Sequence, residues 1–460
     1  MSWLALLALS GCASYQAQPI APAALMQTFE ARTLDNPDLQ RYVRAHLQDD
    51  TGQPGPIAWD LATLTLAAFY FSPELDVARA RTGTRQAVIE TAGQRPNPAL
   101  QFPLGYTSNA KAGESPYTYG LGLDIPIETA GKRGYRVAQA QQRSNAARFD
   151  IGTVAWNVRS RLRSHLLNLY AATRRVEILQ QQIQAQQQIV AMLDRRLTLG
   201  AVSAPEASQA RIALARNRID AARAQQQCQD ERARIAAVIG VPVGALTDIR
   251  IAFDAFERVY PDIPADDVRR AAILNRPDVL AALAEYEASQ AALQLEIARQ
   301  YPDIHLGPGY TFDAGANKFV LPLSGISLPL FNRNQGPIAE ARARRTEAAA
   351  HVNAVQVQAI EDTGRAVQNY RAALDSLHLA ESLLAAQQRQ VQAMQENFSA
   401  GETDRLTLTL AEQAFYGNAL ARQDALVQVQ RNIGQLEDAM QRPLSATGLP
   451  AMSGRGRNPQ

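Results

Sequence analysis

Residues 304–313 read Ile304-His305-Leu306-Gly307-Pro308-Gly309-Tyr310-Thr311-Phe312-Asp313. Ile304, Leu306, Pro308, Tyr310 and Phe312 fall on one face, and His305, Gly307, Gly309, Thr311 and Asp313 on the other. A period of two places successive side chains on opposite faces of a strand. The same pattern occurs earlier, where Leu100, Phe102, Leu104 and Tyr106 alternate with Gln101, Pro103, Gly105 and Thr107. Gly105 matches Gly309, Tyr106 matches Tyr310 and Thr107 matches Thr311, each 204 positions apart.

The match extends outward from the two strands. Pro73 pairs with Pro277, Arg95 with Arg299 and Pro98 with Pro302 at the same offset. Ile125-Pro126 pairs with Leu328-Pro329 at an offset of 203, and Gly200 with Gly401 at 201. A fixed period is the mark of an internal repeat. Each copy reads as helix, β-hairpin, long helix, turn, helix. The second strand of the first hairpin is Tyr117, Tyr119, Leu121, Leu123 and Ile125, alternating with Thr118, Gly120, Gly122 and Asp124. Its counterpart, Lys318 to Leu330, alternates less cleanly and changes phase near Gly325. Runs of about ten residues with one apolar and one small or polar face fit outer-membrane barrel strands. Ordinary half-buried sheet strands look similar.

No proline lies between Pro126 and Pro205, or between Pro337 and Pro443. These tracts are rich in Ala, Gln, Arg, Glu and Leu, all good helix formers. Val176, Leu179, Ile183, Ile189, Val190, Leu193 and Leu197 recur mostly at spacings of three and four, a narrow stripe of coiled-coil type. A continuous helix from Gly134 to Thr198 would be roughly 95 Å long at about 1.5 Å per residue. That suits a filament-like coiled coil or a hairpin spanning a compartment.

The 460 residues carry 46 Lys and Arg against 44 Asp and Glu, a net charge of +2, which excludes nucleic-acid binding by bulk electrostatics. A hydrophobic content of 46% is too high for a disordered chain, and 6% aromatics is low for a set of compact cores. Cys12 and Cys228 make neither a disulfide framework nor a zinc site. Cys228 reads as a packing residue within a helix. The apolar run Trp3 to Leu9 leads into Leu9-Ser10-Gly11-Cys12, which resembles a bacterial lipobox, with Cys12 as the lipidated residue. A signal segment opens with a cation and Met1-Ser2 has none, so the translation start is expected upstream. After that segment no run reaches the length of a transmembrane helix. A bilayer crossing would therefore need a closed barrel.

Two hairpins give four strands, and about eight is the practical minimum for a membrane barrel. An open edge in lipid leaves backbone groups unpaired. Several chains must then share one barrel. Three would supply twelve strands, and the same symmetry would wrap the long helices into a tube.

With this plan, further motifs carry a resemblance: Arg95-Pro96-Asn97-Pro98, Ile127-Glu128-Thr129-Ala130-Gly131-Lys132-Arg133, and Leu328-Pro329-Leu330-Phe331-Asn332-Arg333-Asn334-Gln335-Gly336. The chain resembles the TolC-like outer-membrane efflux proteins, in their heavy-metal, cobalt–zinc–cadmium resistance branch, over nearly everything after Cys12. The last two motifs sit where strand must become helix. Pro126 and Pro329 are expected to end pairing, Gly131 and Gly336 to relax the bend, and Asn332 or Asn334 to cap the helix. Lys132 and Arg133, like Arg333, fall in these joints. The turns Leu197 to Glu206 and Phe398 to Leu406 each pair a glycine that can end one helix, Gly200 or Gly401, with an N-cap for the next, Ser203 or Asp404. The resemblance makes these tips, with Glu206 and Phe398, the docking site for a periplasmic adaptor (membrane fusion) protein. Relatives carry an acidic ring just before the second tip. Glu396 and Glu402 are the candidates for that aperture here, a partial departure from the pattern.

No catalytic constellation emerges. His46, His165, His305, His351 and His378 lack the spacing of a zinc helix, and no phosphate loop or nucleophile elbow is present. No cofactor or resident metal is expected, and the chain reads as a non-enzyme. His305 reads as a polar residue of a lumen.

The reading is a mainly α protein with a membrane β-barrel: a homotrimer with four strands per chain in a shared 12-stranded barrel, a long periplasmic α-helical tube, and an internal two-fold repeat. Residues 1–11 are signal. Residues 12–59 are a lipidated extension wrapping the outside irregularly. Residues 60–246 form the first repeat, with its hairpin at about 98–127, and 247–263 the linker. Residues 264–445 form the second repeat, with its hairpin at about 302–330, and 446–460 a flexible tail. The resemblance implies an outer-membrane lipid-anchored duct, coupled through the adaptor to an inner-membrane resistance–nodulation–division pump, exporting heavy-metal cations passively. Export of drugs or other organic compounds is the first alternative. A structural periplasmic coiled coil without a channel is the second.

Overall fold

The computed structural model describes residues 14–47, 58–260, 263, 270, 272, 274–321 and 328–444. Cys12, the expected signal segment, the tail and the phase change near Gly325 lie outside the described residues.

Four helices dominate. α1 (Pro22–Glu30), α2 (Pro37–His46), α3 (Leu61–Phe71) and α4 (Pro73–Gly93) precede the first hairpin, β1 (Ala99–Gln101), β2 (Leu104–Tyr106) and β3 (Tyr117–Ile127). α5 (Lys132–Thr198, 67 residues) and α6 (Ala204–Ile239, 36 residues) complete the first copy. α7 (Pro277–Ala298), β4 (Ile304–Leu306), β5 (Gly309–Asp313), β6 (Ala316–Val320), α8 (Gln335–Ser399, 65 residues) and α9 (Arg405–Met440, 36 residues) repeat the order. At about 1.5 Å per residue α5 runs roughly 100 Å. α7 packs on both α5 and α8, joining the copies side by side.

The helix ends follow the sequence signals. Gly200 (φ 71°) and Gly401 (φ 80°) adopt the left-handed conformation that ends α5 and α8. The Ala201 N–H donates to the Arg196 carbonyl at 2.8 Å, and the Glu402 N–H to that of Asn397 at 2.9 Å, so the two ends close alike. Ser203 Oγ accepts from the Glu206 N–H at 3.4 Å, and Asp404 Oδ1 from the Thr407 N–H at 2.8 Å. Thr407 Oγ1 also donates to Asp404 Oδ1 at 2.8 Å. The Thr407 backbone N–H, then its hydroxyl, then the Arg196 guanidinium hold the Asp404 carboxyl down at about 2.

One belt of core crosses the middle of the helices. It joins Leu64 and Leu66 of α3, Val158, Leu162, Leu166 and Tyr170 of α5, Ile235 and Ile239 of α6, Tyr370 and Leu377 of α8, and Val429, Ile433 and Leu436 of α9. A smaller cluster of Ile189, Leu193, Ala207 and Ala210 lies towards the tips. Elsewhere alanine fills the contacts, which explains the low aromatic content. The N-terminal segment departs from the irregular wrap expected of it. Asn36 accepts from the Asp38 and Leu39 N–H groups, Pro37 starts α2, and Leu39 and Val43, one turn apart, are buried with Leu34 in the belt.

Charge is buried within the belt. Arg159 and Arg163 of α5 both meet Glu437 of α9, at 3.0 and 3.3 Å. Arg163 also donates to the Gln430 carbonyl at 2.8 Å. Trp156 Nε1 and Ser160 Oγ donate to the Asp438 carboxylate at 2.9 and 2.8 Å. Burial lowers the Arg163 pKa and raises that of Asp438. Desolvated charges persist only where paired and hydrogen-bonded, so this network fixes α9 against α5 in one register.

Two outcomes follow from these contacts. Glu437→Gln leaves two buried guanidinium groups without their counter-charge. It should cost about 3–5 kcal/mol, read as a lower thermal midpoint by circular dichroism, and an unchanged midpoint would refute the role given to the network. Asp404 stabilises α9 only while ionised, and its folded pKa is depressed. Its contribution is present above the ordinary carboxylate range and lost as pH falls through about 2. Asp404→Ala should cost about 1 kcal/mol and speed cleavage of the tip in limited proteolysis at pH 7, and the difference from wild type should shrink in acid.

Candidate conduit and its two ends

The six short strands are four long ones. β1 and β2 pair with β3 in one continuous register, Ala99 opposite Asp124 through Tyr106 opposite Tyr117, interrupted only around Phe102-Pro103. β4 and β5 share one register on the other side of β3, Ile304 opposite Ile127 through Phe312 opposite Tyr119, interrupted at Gly307-Pro308. β6 pairs with β5. Proline lacks a donor, so each break falls where the strand contains one. The carbonyls stay in use: Pro103 accepts from the Gly120 N–H at 3.0 Å and Pro308 from the Leu123 N–H at 2.9 Å. β5 turns into β6 through Ala314 (φ 49°) and Gly315 (φ 87°), the two positive φ angles of a tight hairpin. The fourth strand therefore starts at Ala316, two residues before the expected Lys318. In the first hairpin the connection from Tyr106 to Tyr117 is longer.

All neighbours are antiparallel, and the sheet has two faces. One carries Leu100, Leu104, Tyr106, Tyr119, Leu121, Tyr310 and Phe319, and its side chains are largely bare: Leu104 is 82% and Phe319 84% exposed. Aromatic pairs crowd its hairpin end, Tyr106 with Tyr117, Tyr119 with Phe312 and Tyr310 with Phe319, at centroid distances of 5.4, 4.8 and 5.2 Å. The other face carries Gln101, Gly105, Thr118, Gly120, Gly122, Asp124, His305, Gly309, Thr311, Asp313 and Lys318. Thr118 donates to Asp313 at 3.0 Å, and Lys318 to Asp313 at 2.9 Å. A sheet with an exposed apolar side and a small, polar side is what a lipid-facing barrel wall requires. Neither outer edge, β1–β2 or β6, has a strand partner among the described residues.

The strand-to-helix joints hold surprises. Gly131 (φ 73°) relaxes the first bend as expected, helped by Ala130 (φ 55°). Pro126 does not end pairing, because β3 runs on against β4 to Ile127. A central strand has two neighbours, and a missing N–H affects only one of them. On the β1 side pairing stops at Asp124. Lys132 is buried, its ammonium 2.6 Å from the Tyr301 carbonyl and 2.7 Å from Asp303 Oδ1. Asp303 also accepts from the Thr129 N–H at 2.9 Å. Arg133 Nε donates to the Gly93 carbonyl at 2.5 Å, and Arg136 forms a two-pronged pair with Glu128.

The second joint is built differently. Gly336 lies inside α8 with ordinary backbone angles, and the left-handed residue is Asn334 (φ 60°). Neither Asn332 nor Asn334 caps the helix through its side chain. Asn332 accepts from the Asn334 N–H at 2.9 Å, and Asn334 Nδ2 donates to the Glu296 carbonyl at 2.7 Å, tying the joint back to α7. Asn tolerates the left-handed region, which frees the glycine for the helix. Arg333 is exposed, Pro329 half-buried, and the described pairing ends at Val320, short of Pro329.

At the opposite end the two tips meet. Arg196 of the first tip pairs with Asp404 of the second at 2.5 Å, and Arg405 reaches Gln188 at 3.2 Å while stacking over the half-buried Phe398. Gly200, Ser203, Glu206, Gly401, Glu396 and Glu402 are exposed around them. Glu396 and Glu402 form no metal-binding cluster with other acidic, histidine or cysteine residues among those described. Sequence reasoning missed the Lys132–Asp303 and Arg196–Asp404 ties. One signal was available for the first: position 303 is Asp where the repeat offset predicts the Ala of position 99.

Comparison with known proteins agrees with this architecture. The outer membrane efflux protein profile matches residues 69–241 and 268–441, most of the chain and both copies. The cobalt-zinc-cadmium resistance protein CzcC of Cupriavidus metallidurans is 26% identical over 283 residues, 61% of this chain and 65% of that protein. The chain thus spans just under two thirds of that relative. The pyoverdine export outer membrane protein OpmQ of Pseudomonas aeruginosa is 24% identical over 393 residues, 80% of this chain and 81% of that protein. Among solved structures, the outer membrane protein VceC of Vibrio cholerae superposes with a TM-score of 0.67 at 21% identity, covering 84% of this chain and 97% of that one. CusC superposes with a TM-score of 0.65 at 18% identity, covering 83% and 91%. These similarities establish the fold. Two hairpins, two pairs of long helices and a profile match in each copy place the chain in the outer membrane efflux protein family, whose members are channels rather than enzymes.

Proposed function

We propose that three copies of the chain close one 12-stranded barrel in the outer membrane, with their long helices forming a tube in the periplasm, and that this duct exports heavy-metal cations. The observation that carries the reading is the four-stranded antiparallel sheet with an exposed apolar face and, among the described residues, no strand partner at either edge. Unpaired edges are costly in lipid and vanish when copies join edge to edge. Three copies supply enough strands for a closed barrel.

The duct performs no chemistry. Its polar face lines the passage, and energy enters through a partner, an inner-membrane resistance–nodulation–division pump reached by a periplasmic adaptor. The tips at Gly200, Ser203, Glu206, Phe398, Gly401 and Asp404 are the docking surface for that adaptor. Their exposure at the end of the helical hairpins supports this. Glu396 and Glu402, repeated three times around the mouth, favour cations there. Lipid on Cys12 adds an outer-membrane anchor.

Similarity to the cobalt-zinc-cadmium resistance protein supports the metal cargo. Export of an organic compound is the second reading, favoured by the pyoverdine export relative, which aligns with a larger share of the chain. Growth of a deletion strain on cobalt, zinc, cadmium, nickel, copper and a panel of organic compounds separates them. The metal reading predicts sensitivity confined to a metal group, restored by the wild-type gene and not by a gene lacking both tips. Sensitivity only to organic compounds would keep the duct and overturn the cargo.

A further inference from the structure

His305 of β4 stands opposite Pro126 of β3, on the face that carries Gly120, Gly122 and Asp124. Asp124 is its diagonal neighbour on that face, and His305 Nδ1 lies 3.0 Å from Asp124 Oδ1 and 3.3 Å from Oδ2. An ionised carboxylate only accepts, so Nδ1 carries the proton and donates it. In the neutral ring this leaves Nε2 as the nitrogen with the lone pair. The hydrogen bonds of His305 run to Asp124 alone among the described residues. Both side chains keep solvent access, at 38% and 25% exposure.

A carboxylate holding one ring nitrogen is the arrangement that orients metal-ligating histidines and makes the other nitrogen a better donor. The surroundings suit a cation. Gly122 and Gly309 carry no side chains on that face, and the Gln101 side chain covers Gly122. The Lys132 ammonium at the adjoining joint is engaged by Asp303.

We propose that His305, oriented by Asp124, is a transient station for a hydrated divalent transition-metal cation on the polar face of the sheet, with Nε2 as the protein ligand and water completing the shell. The assignment rests on the metal-export reading. One imidazole binds weakly, and a passage needs sites that a cation can both enter and leave. Imidazole also selects zinc, cobalt or nickel over magnesium and calcium.

The test is equilibrium dialysis of Zn²⁺ against the full-length protein, purified in detergent without a histidine tag. Wild type should take up about one Zn²⁺ per chain, saturably and undisturbed by excess Mg²⁺, as the donor set requires. His305→Gln should abolish that uptake, Asp124→Asn should weaken it about 10–100-fold, and His351→Gln should leave it unchanged. Wild type without saturable uptake, or His305→Gln binding like wild type, would overturn the site. If His305→Gln fails to assemble, Asp124→Asn carries the same test. The export reading is judged separately by growth: a wild-type gene that restores metal tolerance while the protein takes up no Zn²⁺ removes the station and leaves the duct.

Discussion

Backbone hydrogen bonding at the edges of one small sheet sets the terms for the whole molecule. Four antiparallel strands satisfy the donors and acceptors between them and, among the described residues, leave a row without a strand partner on each side. In water such edges are tolerable. Beside lipid they are not, because nothing there can pair with them. The apolar face turns this local shortfall into a demand for other copies of the chain. In the proposed trimer the long helices inherit the symmetry that the sheet imposes. Their alanine-rich contacts have little core of their own away from the central belt, so much of their surface is left for neighbours.

The two copies within the chain are held together where they differ. Lys132 belongs to the first copy and Asp303 to the second, and the matching positions are Gln335 and Ala99. Arg196 and Asp404 join the two tips. The buried Arg159, Arg163 and Glu437 join α5 to α9 across the belt. A repeat supplies two equivalent hairpins, and substitutions that break the equivalence fix how the hairpins sit against one another. The same holds for His305, which stands where the first copy has Gln101.

Much of this plan was legible from residue patterns. Period-two alternation located the strands and their faces because side chains must alternate across a strand. Proline-free tracts located the long helices, and Gly200, Ser203, Gly401 and Asp404 located their turns, because end-capping is local chemistry. What stayed hidden was non-local. Pro126 lies in a central strand, and its pairing depends on His305 of a partner strand, 179 positions away. Asn334 took the left-handed role expected of Gly336 because Glu296 of a distant helix holds its side chain. Pro37 was visible as a helix start, but the burial of Leu39 and Val43 depends on the belt they join.

If the sheet is one third of a barrel, three chains must hold together outside the membrane. Native mass spectrometry of the full-length protein released from detergent tests it most directly. The account predicts three chains per particle, with neither folded monomer nor dimer surviving as a major species. A folded monomer as the stable form would mean that the sheet edges are satisfied within one chain, and would contradict it.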